Sequence, residues 1–128
     1  MSDILDHVGI RVSDFDRSKA FYREALGVLG IELLYEQEFP DGAVAGFGKE
    51  RSSFFVAGGR PLRGETHLAF TAASQAEVNA FYSVALSMGG QDNGAPGPRP
   101  HYRAGYYAAF VFDPDGNNVE AVYIGQEE

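Results

Sequence analysis

Asp6-His7-Val8-Gly9-Ile10 returns as Thr66-His67-Leu68-Ala69-Phe70, a shift of 60 positions along the chain. Held at that shift without a gap, the agreement continues. Ala20-Phe21-Tyr22 falls on Ala80-Phe81-Tyr82, Ala25-Leu26 on Ala85-Leu86, and Gly30 on Gly90. Of the 3 histidines in the chain, two occupy the same place in this register. Self-similarity at a fixed period means a repeated structural unit. The reading therefore expects two modules, at about 3–58 and 65–125, with a linker at 58–64 whose Gly58-Gly59-Arg60-Pro61 composition suits a connection.

Each module opens on an alternating strand. Val8, Ile10 and Val12 share one face, and His7, Gly9 and Arg11 the other. A helix follows, with Ser13–Asp16 and Ser74–Glu77 spaced as N-cap pairs. Phe15, Tyr22, Ala25, Leu26 and Leu29 form an apolar stripe in the first helix, as do Val78, Phe81, Tyr82, Ala85 and Leu86 in the second. Gly27 and Gly89-Gly90 are expected to end them. Strands follow near Glu32–Glu36, Gly42–Phe47 and Ser52–Ala57, then Tyr106–Phe112 and Asn118–Ile124, with a short one near Gly90–Asn93. Asp113-Pro114-Asp115-Gly116 reads as a type I turn closing a hairpin. The stretch Asp92–Gly105, with prolines at 96, 98 and 100, reads as a long structureless loop. The element order is β-α-β-β-β, twice, which makes the class α+β.

Strand parity decides what converges. If the helices cover the Val8/Ile10/Val12 face, then His7 and Arg11 point to the uncovered face, and by the repeat so does His67. If Val119 and Ala121 meet the second helix, Glu120 joins them. Two neutral imidazoles and a carboxylate suit a divalent metal such as Zn, Mn, Ni or Fe, and three ligands leave positions open for substrate. In the first module the position equivalent to Glu120 falls on Phe54 or Phe55, and neither can ligate. His101 in the long loop is a candidate proton-transfer group beside Glu120, and Arg11 a candidate clamp for an anionic substrate group. Arg99, His101, Tyr102 and Arg103, with Tyr106 and Tyr107, make a basic-aromatic segment able to cover a ligand. Arg103 and Tyr107 are its candidate substrate contacts.

Composition removes other classes. The 128 residues suit one domain with a core of its own. A net charge of -8 repels nucleic acid and anionic membrane surfaces, so neither is expected as a partner. With no cysteine there is no disulfide, thiol nucleophile or iron–sulfur site. No apolar run is long enough to span a bilayer. Met1-Ser2-Asp3-Ile4 lacks the basic and apolar regions of a secretory signal, so a cytoplasmic location is expected.

The tandem βαβββ order, with Asp6-His7-Val8, Arg11-Val12-Ser13-Asp14, His67-Leu68-Ala69-Phe70 and Asp113-Pro114-Asp115-Gly116-Asn117 leading to Glu120, resembles the vicinal oxygen chelate superfamily over about residues 3–125. That group includes glyoxalase I, extradiol dioxygenases, fosfomycin thiol transferases and bleomycin-resistance proteins. The resemblance implies curved mixed sheets flanked by helices, often paired into a homodimer. It implies His7, His67 and Glu120 as metal ligands, with Glu120 or His101 moving a proton. Arg11 matches the position that in glyoxalase I binds an anionic part of a thiol cofactor. Glyoxalase I carries a fourth ligand on the last strand of the first module. The His-His-Glu set here is closer to that of the dioxygenases and thiol transferases. The expected function is a metal-dependent, glyoxalase-like lyase or isomerase acting on a small oxygenated molecule, with a thiol adduct among the candidates. The alternatives are a ring-cleaving dioxygenase, a thiol transferase, or a ligand-sequestering protein without chemistry.

Overall fold

The structure, a computed structural model, describes residues 7–40, 42–59 and 66–125. Most of the expected linker and the first residues of the expected first module lie outside these. The elements run β1 (Val8–Val12), α1 (Phe15–Gly27), β2 (Glu32–Phe39), β3 (Gly42–Gly48), β4 (Ser52–Gly58), β5 (His67–Thr71), α2 (Gln75–Ser87), β6 (Gln91–Pro98), β7 (Tyr106–Phe112) and β8 (Asn118–Ile124). They form two four-stranded sheets, ordered β1-β4-β3-β2 and β5-β8-β7-β6. The β1/β4 and β5/β8 pairs are parallel and the others antiparallel, so both sheets are mixed. The expected α+β class and order hold. The parallel pairs follow from connectivity, because the first and last strands of each module are separated by a helix and a hairpin.

Alternation sorts the faces as parity requires. Ile10 and Val12 are buried while Gly9 and Arg11 are exposed. The core joins both modules. Phe21, Tyr22 and Leu26 of α1 and Phe81 of α2 have no exposed surface, and the two helices pack together. Each such side chain contributes about 1.5–3 kcal/mol. A helix cap contributes about 1 kcal/mol, so packing rather than capping sets where the helices lie. At Gly90 a Cβ would stand 2.9 Å from Phe21 Cε1, so a glycine here lets the chain leaving α2 pass close to α1.

A second connection is polar. The buried Asp113, at the β7–β8 turn, accepts from the Tyr22 hydroxyl at 2.6 Å, from the backbone N–H groups of Asp115 and Asn117 at 2.9 and 2.8 Å, and from Asn117 Nδ2 at 2.8 Å. Gly116 N–H donates to the Asp113 carbonyl at 2.9 Å, closing the expected turn. Asp115 in turn accepts from Ser13 Oγ at 2.6 Å and from the Ser13 N–H. One turn of the second module thus holds the β1–α1 corner of the first.

Several expectations change. Ser74 caps α2, accepting from Glu77 N–H at 3.1 Å. Asp14 rather than Ser13 caps α1, because Ser13 is engaged by Asp115. α1 ends at Gly27 as expected, and the positive φ that follows it is at Gly30. The strand expected to stop at Glu36 runs to Phe39. The largest change concerns Asp92–Gly105. Its first half is β6, bulged between Asp92 and Gly94 and between Gly94 and Gly97. Pro96 and Pro98 are tolerated because β6 is an edge strand, where a missing N–H costs no ladder bond. Arg99 folds back on this strand, donating to the Gly97 and Ala95 carbonyls at 2.8 Å each and lying over the Phe110 ring. Only a short loop, 99–105, remains.

Candidate active site

The face of each sheet away from the helices carries the expected donors. On the second sheet Ala69 stands opposite Glu120, and Glu120 opposite Phe110. His67, two residues before Ala69, therefore shares Glu120's face. His67 Nε2 and Glu120 Oε1 are 2.7 Å apart. The Glu120 side chain is 1% exposed and that of His67 54% exposed, so a fixed carboxylate carries an accessible imidazole. Phe110, itself buried, forms the floor, its ring 6.1 Å from that of His67. The second carboxylate oxygen, Oε2, accepts from the Tyr106 hydroxyl. Burial first, then the Glu120 hydrogen bond and charge, pushes the Tyr106 hydroxyl up to about 12, so it stays a proton donor at neutral pH.

Sequence reasoning placed Tyr106 in a ligand-covering segment and missed its bond to Glu120. The Asp113–Gly116 turn sets the register. Counting outward from Phe112 opposite Asn118 puts Tyr106 on Glu120's face and Tyr107 on the other. Tyr107 accordingly donates to Asn79 of α2 at 2.8 Å. It faces the helix, and its expected role as a substrate contact is corrected. Arg99, too, is engaged with its own strand.

On the first sheet Gly9 stands opposite Phe55. Gly9 corresponds to Ala69 in the repeat, so Phe55, not Phe54, takes the place of Glu120. Phe54 is turned into the core, against Phe70 at 5.1 Å between ring centroids. Phe55 meets the His7 ring edge-on at 5.6 Å and Tyr35 at 6.4 Å. His7 also lines a cleft of about 800 Å³ shared with Ser53, Phe54, Ala69, Phe70 and Thr71, but neither His67 nor Glu120 lines it. Arg11 lies exposed on the His7 face, opposite Ala57. The structure brings His67, Glu120 and Tyr106 together and leaves His7 apart from them. Among the described residues, no three His, Cys, Asp or Glu side chains converge as a metal cluster within one chain. His101 is exposed, its ring tilted against that of Tyr102 at 4.4 Å between centroids, and Tyr102 meets Tyr106 at 5.0 Å. His101 thus stands at the far end of a row of rings from Glu120. Arg103 is near enough to Tyr106 for its charge to be felt there.

A family profile described as the Glyoxalase/Bleomycin resistance protein/Dioxygenase superfamily matches residues 4–121. The chain belongs to this superfamily. A lactoylglutathione lyase of Arabidopsis thaliana is 34% identical over an alignment of 128 positions that covers 93% of this chain and 44% of that protein. The chain therefore spans less than half the length of the plant protein. A probable lactoylglutathione lyase of Synechocystis is 29% identical over 131 residues, covering 95% of this chain and 96% of that one. A glyoxalase/bleomycin resistance protein from Albidiferax ferrireducens, solved by crystallography, superposes with a TM-score of 0.73 at 26% identity, covering 94% and 99% of the two chains. The α+β fold described above agrees with that likeness. Among the described residues no helix is long and apolar enough to cross a membrane.

The donor set suits the divalent metal that the superfamily implies. An imidazole nitrogen and a carboxylate oxygen converge on an open face, and the other carboxylate oxygen is hydrogen-bonded, as ligating carboxylates are.

Proposed function

We propose that the chain is a glyoxalase-like metalloenzyme with lyase or isomerase chemistry on a small oxygenated molecule. His67 and Glu120 of one copy and His7 of a second copy would hold the metal. The observation that carries this reading is the His67–Glu120 pair on the open face of the second sheet, with His7 on the matching face of the first. Among the described residues β1 and β5 each end their sheets and pair on one side only, so a second copy has edges to meet. A homodimer with composite sites reconciles the repeat with the separation of His7 from the other two.

A bound divalent ion supplies Lewis acidity toward the substrate oxygens. The remaining work belongs to the chain. Glu120, beside His67, is the base. Arg11, on the His7 face, orients an anionic substrate group. Phe110 and Phe55 exclude water from the two sides. The lactoylglutathione lyase relatives bring a thiol adduct such as lactoylglutathione forward as the substrate class. Phe55, standing where a second carboxylate would sit, favours a three-ligand set and keeps dioxygenase or thiol-transferase chemistry as the second reading.

Elemental analysis of untagged protein tests this. About one metal per chain is expected, lost in His67→Ala and in Glu120→Ala. Mixing His7→Ala with Glu120→Ala chains should restore metal binding, because a mixed dimer regenerates one intact site. Metal content unchanged in His67→Ala and Glu120→Ala would overturn the ligand assignment. Failure of the mixture to recover would overturn the shared site.

A further inference from the structure

We infer that Tyr106 is the positioning residue of Glu120. It occupies Oε2, so that the carboxylate presents Oε1 alone beside His67. The inference rests on the metal-site reading given above.

Tyr106 begins β7, and Phe110, four residues on, stands opposite Glu120. That offset is a rise of about 13 Å along the strand, so the two side chains meet only by leaning towards each other over the sheet. What lies between permits it. Ala108 is the β7 residue on that face between Tyr106 and Phe110, and its methyl group leaves room for a ring to lie across. Tyr102 closes the outer side, meeting the Tyr106 ring edge-on at 80° and 5.0 Å between centroids. The ring is thus held from two directions, and its hydroxyl reaches the one carboxylate oxygen that His67 does not.

The chemical consequence follows from the carboxylate's symmetry. A free carboxylate can offer either oxygen or both to a cation. Fully buried Glu120 has each oxygen assigned to a different neighbour, so its mode of ligation is set before a metal arrives. Hydrogen-bond partners of this kind tune metal affinity by about 10–100-fold.

The test is Co(II) binding to the full chain, freed of metal, followed by titration calorimetry and by the visible absorption of the saturated protein. Tyr106→Phe keeps the ring against Tyr102 and Ala108 and removes only the hydroxyl. It is expected to bind Co(II) about 10–100-fold more weakly. Its spectrum at saturation should differ in band position and intensity, because the freed oxygen changes the ligand set. Tyr82→Phe removes another partly exposed hydroxyl, the one donating to Asp92 at 3.0 Å, and should match the parent in both readouts. Glu120→Gln should lose binding. If Glu120→Gln loses binding while Tyr106→Phe keeps parental affinity and spectrum, the positioning role is overturned and the metal site stands. If Glu120→Gln binds Co(II) as the parent does, the site reading falls and takes the role of Tyr106 with it. A saturated Tyr106→Phe spectrum identical to the parent's, even at lowered affinity, also refutes it, since general loosening of the fold leaves the ligand set unchanged.

Discussion

Replacing Asp113 by alanine removes four hydrogen bonds from a side chain that is 3% exposed. Three of these organise a turn at the surface, and water replaces them in part. The fourth does not recover. The Tyr22 hydroxyl is fully buried, and no solvent reaches it once the carboxylate is gone. Hydrogen bonds to charged groups contribute about 1.5–3 kcal/mol each, and an abandoned buried hydroxyl costs about 1–3 kcal/mol. The expected loss is about 3–5 kcal/mol, a large part of the 5–15 kcal/mol typical of a domain, roughly. At roughly 3–6 °C per kcal/mol for a chain of this size, the melting temperature should fall by about 10–30 °C. Tyr22→Phe removes only the one contact and should cost about 1.5–3 kcal/mol. Urea unfolding of both single variants and the double variant gives the coupling, expected at about 1–2 kcal/mol. The reasoning is refuted if Asp113→Ala costs less than about 1 kcal/mol, or if the two losses add to within about 0.5 kcal/mol.

The same tyrosine predicts an alkaline limit. Burial first, then Asp113, raises the Tyr22 pKa well above 10.0. Above about pH 10 the unfolded chain releases this proton while the folded chain keeps it, so stability falls by about 1.4 kcal/mol per pH unit; below that pH the group contributes no slope. Urea midpoints measured from pH 9 upward, roughly, should decline less steeply in Tyr22→Phe, and equal slopes would count against the assignment. At the β3–β4 turn a Cβ on Gly48 would lie 1.8 Å from the Arg51 carbonyl oxygen, whereas Gly116 has nothing within 4 Å. Gly48→Ala should therefore cost more than about 3 kcal/mol and Gly116→Ala only the strain of its positive φ, about 1–2 kcal/mol. Equal melting temperatures for the two would contradict the crowding argument.

The repeat and parity carried most of what was legible in the sequence. They placed His67 and Glu120 on one face, because alternation in a strand is a local property that a short stretch displays. What was lost depended on neighbours. Ser13 has the right chemistry for a cap, but an aspartate 102 positions away claims it. The Pro- and Gly-rich 92–98 stretch has loop composition, yet it forms a strand because an edge position forgives missing donors and Arg99 serves its carbonyls. Tyr106 and Tyr107 differ by one residue, and only the hairpin register tells them apart. The separation of His7 from His67 was out of reach of parity, which reports the face of a sheet and not the distance between two sheets.

Arg99 and the prolines of β6 have one more effect. An outermost strand normally offers its spare N–H and C=O groups to any extended chain that drifts past, and this is how sheets grow into aggregates. Pro96 and Pro98 have no N–H to offer, the bulges break the spacing a guest strand would need, and the guanidinium already occupies the Ala95 and Gly97 carbonyls. That border of the molecule is closed to sheet extension, which matters most in a crowded, freshly synthesised population. Stripped of Arg99, the protein would show the loss as turbidity on gentle heating.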